Sequence, residues 1–434
     1  MITNIASRHI NAERLRADIE TLAGIGRQEG PDAARGLFRM AFSPGDLAAR
    51  AWLESRIKQA GLPLVRDGAG NVGARIGGDG PCVMTGSHLD TVPGAGHLDG
   101  ALGVLAGLEV LRVVAEQNIP LAHPLELVAF SDEEGRFGGL LGSQAIAGAR
   151  DRDTLAQAAD LNGEALSDAL ATVGLTIDDV LASRRDPEQI LAFVELHIEQ
   201  GPVLDAENVP LGVVSGITGL FKWSVTYQGE ANHAGTTPMN MRRDALRGMA
   251  TLAQSIDGIL KMHGSANSRA TIGRVRVEPG AANVIPGFCE FSLEVRDTDP
   301  ETLTRLARVF RDRLEYVAYQ YELGLSIVEM SDIQPVACAA HIMRTIEAEA
   351  EALGVPYRKL PSGAAHDAQV IGSIAPMGMV FVPSKQGLSH SADEDTAWPD
   401  IEAGANVLLN TLVALASSPP PTQETPHVPG RIQR

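Results

Sequence analysis

The chain has 434 residues, too long for one ordinary hydrophobic core, which predicts two domains. A net charge of −18 and an aromatic content of 4% exclude the basic surface and the stacking platforms that nucleic-acid binding needs. Neither excludes an anionic substrate, because one buried arginine can bind a carboxylate whatever the global charge.

Three cysteines, Cys82, Cys289 and Cys338, are widely spaced and odd in number, which argues against a disulfide framework and for a reducing, cytoplasmic compartment. No run of apolar residues has membrane length and no signal-peptide core is evident, so no membrane partner is expected. Apolar residues at helical spacing predict helices over Asn11 to Arg27 and Pro44 to Ala60, with Gly61 as a stop. Short runs rich in Val, Ile, Leu and Phe then predict buried strands at Cys82 to Thr85, Leu125 to Phe130, Phe193 to Ile198 and Met379 to Val382. Helices such as Gly100 to Gln117 lie between them. The alternation predicts an α/β domain with a mostly parallel sheet.

The middle third reads differently. Strands are predicted over Leu220 to Tyr227, Thr271 to Val277, Phe288 to Arg296 and Leu325 to Val328, with helices over Met241 to Met262 and Pro300 to Tyr319. This β-α-β-β-α-β order predicts a smaller α+β domain, inserted at about 214–330 as a lid and dimerisation domain. The catalytic domain then occupies 1–213 and 331–416, its last helix running over Asp400 to Ala416. The proline-rich stretch 417–434 is expected to be a disordered tail.

Polar residues cluster where the predicted parallel strands end. The first strand runs into Ser87-His88-Leu89-Asp90 and, past a glycine-rich loop, His97-Leu98-Asp99-Gly100. The second runs into Ser131-Asp132-Glu133-Glu134, the third carries Glu195-Leu196-His197, and the fourth leads to Ser389-His390-Ser391. Ligand sites of parallel sheets lie at the carboxyl ends of strands. Mixed imidazole and carboxylate donors suit Zn, Mn, Ni or Co better than Mg or Ca. Taken singly, a histidine at a strand end is more often a hydrogen-bonded structural residue, and an Asp-Glu-Glu run is usually a solvated loop. Their convergence on one sheet edge is the informative feature.

The segments Gly86-Ser-His-Leu-Asp-Thr-Val-Pro, His97-Leu-Asp-Gly-Ala-Leu-Gly-Val, Phe130-Ser-Asp-Glu-Glu-Gly and Glu195-Leu-His-Ile-Glu-Gln-Gly-Pro resemble the N-carbamoyl-L-amino-acid hydrolase family. So do Gly229-Glu-Ala-Asn-His-Ala-Gly-Thr-Thr-Pro, Asn283-Val-Ile-Pro-Gly, Glu294-Val-Arg-Asp and Pro361-Ser-Gly-Ala-Ala-His-Asp-Ala. β-Ureidopropionase and allantoate amidohydrolase are relatives within a wider superfamily of two-metal peptidases and aminoacylases. The resemblance implies two divalent ions per subunit. His88 and His197 would complete one site, Glu134 and His390 the other, with Asp99 bridging them. Asp90 would orient the His88 imidazole. Glu133 would be the general base for a water shared by the ions, although the two adjacent glutamates could exchange roles. His233 would stabilise the oxyanion, commonly from the partner subunit of a homodimer. Asn283 and Arg296 would bind a substrate carboxylate, and Gln200 and His366 would line the pocket. Ala365 stands where relatives often have glycine.

The activity so implied is hydrolysis of an N-carbamoyl-L-amino acid or a related ureido acid to ammonia, carbon dioxide and the free amine. A dipeptidase or N-acylamino-acid hydrolase of the same superfamily is the first alternative; its peptidase branches commonly carry an acidic ligand where this chain has His197. A non-catalytic metal-binding homologue is the second, and an intact Glu133 with all five ligands speaks against it.

Overall fold

The computed structural model describes residues 8–28 and 36–417, so the tail expected beyond Ser417 lies outside the described residues. Two compact units emerge. The first comprises the chain up to Val214, Cys338–Leu360 and the residues from His366 on; the second comprises Ser215–Ala337 and Pro361–Ala365.

In the first unit, α1 (Ala12–Leu22) begins where the Asn11 side chain accepts a hydrogen bond from the Arg14 N–H. It stops short of the expected Arg27. The buried guanidinium of Arg39 takes the carbonyls of Leu22 and Ile25, at 3.0 and 3.3 Å, that a longer helix would consume. Helix α2 (Pro44–Gln59) starts on Ser43, with Pro44 in its first turn.

The sheet is built from β1 (Leu64–Arg66), β2 (Val72–Ile76), β3 (Cys82–His88), β4 (Leu125–Phe130), β5 (Ile190–Ile198) and β6 (Leu211–Ile217), together with the strand Met377–Val382. Their order is β1-β2-β4-β3-β5, then Met377–Val382, then β6. The central pairs are parallel: β4 with β3, β3 with β5, and β5 with the strand Met377–Val382. At the flanks β1, β2 and β6 pair antiparallel. The crossover from β3 to β4 is α3 (Ala101–Glu116), buried on every side from Ala101 to Val114. Along β5, Ala192, Val194, Leu196 and Ile198 enter the main apolar cluster with α3 and the helix Trp398–Ser417. Taking the Val194, Leu196 and Ile198 side chains out of water contributes roughly 1.5–3 kcal/mol each. Strand alternation then turns Glu195 and His197 to the other face. Because the central strands are parallel, His88, the Glu133–Glu134 pair, His197 and the loop carrying His390 all issue from one edge.

The second unit is an antiparallel sheet ordered Val275–Glu278, Phe288–Asp297, β7 (Gly219–Gln228) and Gly324–Ile333, with Arg269–Thr271 also on Phe288–Asp297. Its core joins Trp223, Val225, Tyr227, Phe291, Leu293 and Val295 to Leu306, Phe310 and Leu314 of the helix Pro300–Gln320. The strand expected over Thr271 to Val277 is broken. The Ser292 hydroxyl accepts from the N–H groups of Gly273 and Arg274, at 3.2 and 3.1 Å, and bends the chain between two shorter strands. The helix expected from Met241 begins at Ala245, because the Asp244 carboxylate caps it through the Arg247 N–H at 3.1 Å. The return to the first unit, expected at 331, comes at Cys338, since the last strand runs on to Ile333; Pro361–Ala365 also joins the second unit. Among the described residues no helix is long and apolar enough to cross a membrane, and all three cysteines are unpaired and buried.

Candidate active site

His88 closes β3 and is 2% exposed. Its Nδ1 lies 2.9 Å from the backbone oxygen of Asp90, and the Nδ1 of His197 lies 2.9 Å from that of Ile198. A carbonyl only accepts, so each ring keeps a proton on Nδ1 and, when neutral, presents Nε2 as a lone pair. The Gly100 N–H donates to His197 Nε2 at 3.2 Å, in agreement. These two Nε2 atoms stand 3.4 and 3.3 Å from Asp99 Oδ1. With the rings neutral, lone pairs facing a carboxylate oxygen repel one another unless a cation sits among them. In the ion-free site, against the pull of burial, the surrounding carboxylates raise the pKa of both imidazoles, so a proton can fill that place, and the same donor set fits a metal ion. On the other side of Asp99, His390 Nε2 lies 3.5 Å from Oδ2 and 3.4 Å from Glu134 Oε2. His88, Asp99 and His197 form one group of potential ligand atoms, Asp99, Glu134 and His390 another, and Asp99 belongs to both.

The Asp90 carboxylate, expected to orient the His88 ring, stands beside it without a direct hydrogen bond to Nδ1. It is 4.0 Å from Nδ1, the backbone oxygen of the same residue having taken that proton; the carboxylate Oδ2 instead accepts from the Glu134 N–H at 3.1 Å. Gly100 is required where it stands. With φ 64° and ψ −48°, and the Ala101 N–H bonded to the Asp99 carbonyl at 2.7 Å, it centres a γ-turn that L side chains resist. A Cβ there would also meet the His88 ring at 2.5 Å.

Glu133 Oε2 lies 3.6 Å from His88 Nε2. Burial pushes its carboxyl well above the usual range; the nearby His88 opposes this, while Asp367, Glu134 and Asp90 add to it. Burial, with the charge of Asp99 next, pushes Glu134 up to about 8, and its Oε1 is buried without a hydrogen-bond partner. Crowded, orphaned carboxyl oxygens of this kind are what divalent cations relieve. Asp132, Gln200 and His390 all hold positive φ, at 50°, 57° and 53°, so backbone strain concentrates at these strand ends. Gln200 Nε2 donates to Asp99 Oδ2 at 2.8 Å. His366 is buried with its ring 4.6 Å from that of His197; burial first, then His197, hold its pKa well below the ordinary value, so it is neutral. Glu195, close to both rings, has its oxygens occupied by the Ser87 hydroxyl at 2.7 Å and the Ala368 N–H at 3.0 Å.

The remaining expected residues belong to the second unit. His233 and Val284 face each other on two short antiparallel strands, and the Ala234 N–H bonds to the Asn283 carbonyl at 2.9 Å. His233 is exposed; its Nδ1 accepts from the N–H groups of Gly235 and Thr236, at 3.1 and 3.2 Å, which puts the proton of the neutral ring on Nε2. Arg296, on the polar face of its strand, donates through Nε to Glu294 at 2.9 Å and through Nη1 to the Gly363 carbonyl at 2.6 Å. Lys222 lies 3.2 Å from the other oxygen of Glu294.

Sequence reasoning overlooked Ser389 and Glu394. Ser389 Oγ donates to Asp99 Oδ2 at 2.7 Å, and Glu394 Oε1 accepts from the N–H groups of Leu98 and Asp99 at 2.9 and 3.0 Å. Their one signal was proximity to His390 on the same loop.

A family model described as Peptidase family M20/M25/M40 matches residues 84–414. An N-carbamoyl-L-amino acid amidohydrolase of Geobacillus stearothermophilus is 38% identical over 413 residues, covering 94% of this chain and 99% of the relative. An allantoate amidohydrolase of Escherichia coli is 34% identical, covering 89% and 95%. The crystal structure of an amidase of the hydantoinase/carbamoylase family from Burkholderia multivorans superposes with a TM-score of 0.86 at 35% identity, covering 95% of this chain and 99% of that one.

Proposed function

The chain belongs to peptidase family M20/M25/M40, and from that membership and its site geometry we propose that it removes the carbamoyl group from an N-carbamoyl-L-amino acid or related ureido acid, using two divalent metal ions. It is a hydrolase of carbon–nitrogen bonds other than peptide bonds, in linear amides. The observation that carries the proposal is Asp99, whose Oδ1 faces His88 and His197 while its Oδ2 faces His390, itself beside Glu134. A carboxylate has the two oxygens that bridging requires, and a histidine does not. Zn, Mn, Co or Ni held there would supply Lewis acidity, lowering the pKa of water and polarising the scissile carbonyl.

Glu133 is assigned the general base. It takes a proton from the attacking water and returns it to the leaving nitrogen as the carbon–nitrogen bond breaks. Its raised proton affinity suits that exchange. His233, a donor through Nε2–H, is assigned the oxyanion. Arg296 and Asn283 are assigned the substrate carboxylate. With Nε bonded to Glu294 and Nη1 to the Gly363 carbonyl, Arg296 has its remaining N–H groups, those of Nη2 and the second of Nη1, for a carboxylate. Gln200 and His366 are assigned to the pocket wall. A cytoplasmic homodimer completes the proposal, and the buried unpaired cysteines support the reducing compartment.

The test is a panel of carbamoyl, formyl, acetyl and dipeptide derivatives of one amino acid, each as free acid and as amide, with metal-reconstituted protein. The carbamoyl acids should turn over fastest and their amides poorly. Faster turnover of dipeptides or acetyl derivatives would favour the alternative activities, and equal rates on acid and amide would refute the carboxylate clamp.

A further inference from the structure

The loop that supplies His390 does more than present one ligand. It leaves the sheet after the strand Met377–Val382 and is closed at its base. There the Lys385 N–H bonds to the Asp395 carbonyl at 2.9 Å, and the Thr396 hydroxyl bonds to the Pro383 carbonyl at 2.8 Å. From within this closed loop Glu394, 2% exposed, reaches the separate loop that carries Asp99. Its Oε1 accepts from the backbone N–H groups of Leu98 and Asp99, at 2.9 and 3.0 Å, and so sets the main chain of Asp99. Gly96 leaves the space for this approach, since a Cβ at that position would collide with the Glu394 side chain. Ser389, next to His390, acts on the same residue from the other end. Its hydroxyl is 2.7 Å from Asp99 Oδ2 and 3.2 Å from Glu394 Oε2; with one proton to give, the shorter contact assigns it to Asp99. Main chain and carboxylate of Asp99 are therefore both held by the loop that carries His390.

We propose that Glu394 and Ser389 are positioning residues that couple the two ion subsites: the loop that completes the subsite of Glu134 and His390 also sets the carboxylate shared with the subsite of His88 and His197. Glu394 touches no potential ligand atom of His88 or His197, yet its loss should weaken ion binding there, because Asp99 would lose its fixed direction. Hydrogen-bonding partners behind ligands change metal affinity by about 10–100-fold when removed. The effect is geometric. An amide oxygen at Glu394 can accept from the same two N–H groups, so Glu394→Gln should retain what Glu394→Ala loses.

This inference rests on the two-ion proposal above, and calorimetric titration of chelator-stripped full-length protein with Mn(II) or Co(II), with the visible absorption of bound Co(II), separates the two. Wild type should take up two ions; uptake of one or none would overturn the two-ion proposal itself. Glu394→Ala, shown to be folded by circular dichroism and its melting profile, should bind both ions at least about tenfold more weakly with a changed Co(II) spectrum. Glu394→Gln should stay within about threefold of wild type, since its acceptor is kept. Ser389→Ala should weaken both ions and serves as the independent probe if Glu394→Ala does not fold. His390→Ala, which removes a ligand directly, should lose chiefly one ion. Two-ion wild-type protein alongside a folded Glu394→Ala or Ser389→Ala with unchanged affinity at the subsite of His88 and His197 would overturn the coupling. So would a Glu394→Gln variant as weak as Glu394→Ala.

Discussion

Gly100→Ala tests the geometry of the centre most sharply, because two separable costs fall on one atom. The first is backbone strain. At φ 64° and ψ −48° an alanine occupies a region that non-glycine residues rarely adopt, at about 1–3 kcal/mol. The second is steric: the new Cβ meets the His88 ring at 2.5 Å, and His88 is only 2% exposed, so it cannot swing into solvent. Overpacking of this kind adds about 1–3 kcal/mol. Together they come to about 2–6 kcal/mol, shared between global stability and displacement of the imidazole. If half the midpoint, about 2 kcal/mol, appears as displacement, ion affinity falls by a factor of about 30.

Gly61→Ala is the control. It shares a positive φ, 68°, but a Cβ there has no atom within 4 Å, so it carries the backbone cost alone. Titration of stripped protein with Mn(II), paired with urea denaturation, reads both quantities. Gly100→Ala should lose ion affinity and stability together, whereas Gly61→Ala should lose about 1–2 kcal/mol of stability with unchanged affinity. Wild-type ion affinity in Gly100→Ala, with no greater loss of stability than the control, would refute the requirement for glycine against His88.

Glu133→Gln should keep both ions and lower turnover by about 10²–10⁴-fold; near-normal turnover, or loss of an ion, would show that the adjacent glutamates exchange roles. Metal-free protein should become less stable as pH rises from 5 to 8. Glu134 has a folded pKa of about 8 against an ordinary value of 4.5, so its protonated form favours the folded state below 4.5 and that contribution is lost as pH climbs through 8. The melting-temperature gap between ion-loaded and ion-free protein should therefore widen over that range, and a constant gap would count against the crowded carboxyls. Glu133→Gln and His233→Ala should each be inactive alone. If His233 serves the partner's site, co-expression should restore about a quarter of wild-type activity, from half the sites in the half of dimers that are mixed; inactive mixed dimers, confirmed by differential tags, would rule out the shared site.

Much of this architecture was legible because buried strands and their ends leave local marks. Leu125–Phe130 reads as an apolar run and is a fully buried strand of those bounds, and the polar clusters that follow each central strand do lie at one sheet edge. What escaped notice depends on side-chain bonds between distant segments. Nothing near Leu22 announces that Arg39 will claim its carbonyl, and nothing near Thr271 announces that the Ser292 hydroxyl will interrupt the strand. Asp90 is a subtler case. The resemblance implied that its carboxylate orients the ring; in the turn after β3 the backbone oxygen of the same residue lies closer to Nδ1, 2.9 against 4.0 Å. Glu394 lies 295 residues from Asp99, a separation at which no local pattern carries information.

That separation bears on how the centre comes into being. His88, Asp99, Glu133, Glu134 and His197 all precede the second unit, which begins at Ser215, while His390, Ser389 and Glu394 all follow it. The strand Met377–Val382, which delivers the late residues, pairs with β5 in parallel register, Phe381 beside His197. The contact of the late loop with Asp99 therefore accompanies the pairing of a late strand with one from before the second unit. A chain ending at Ala337 would keep His88, Asp99, Glu133, Glu134 and His197, but neither the clamp on Asp99 nor His390 facing it from the late loop. Under the two-ion proposal, ions that need Asp99 from both sides would bind the completed unit and not its first half. Their binding energy would then be added to the folded state alone, about 2.7 kcal/mol when free ion stands at a hundred times its dissociation constant. The crowded acids that make the ion-free site costly are thus the same groups through which the proposed ions would stabilise the join between the early and late segments of the first unit.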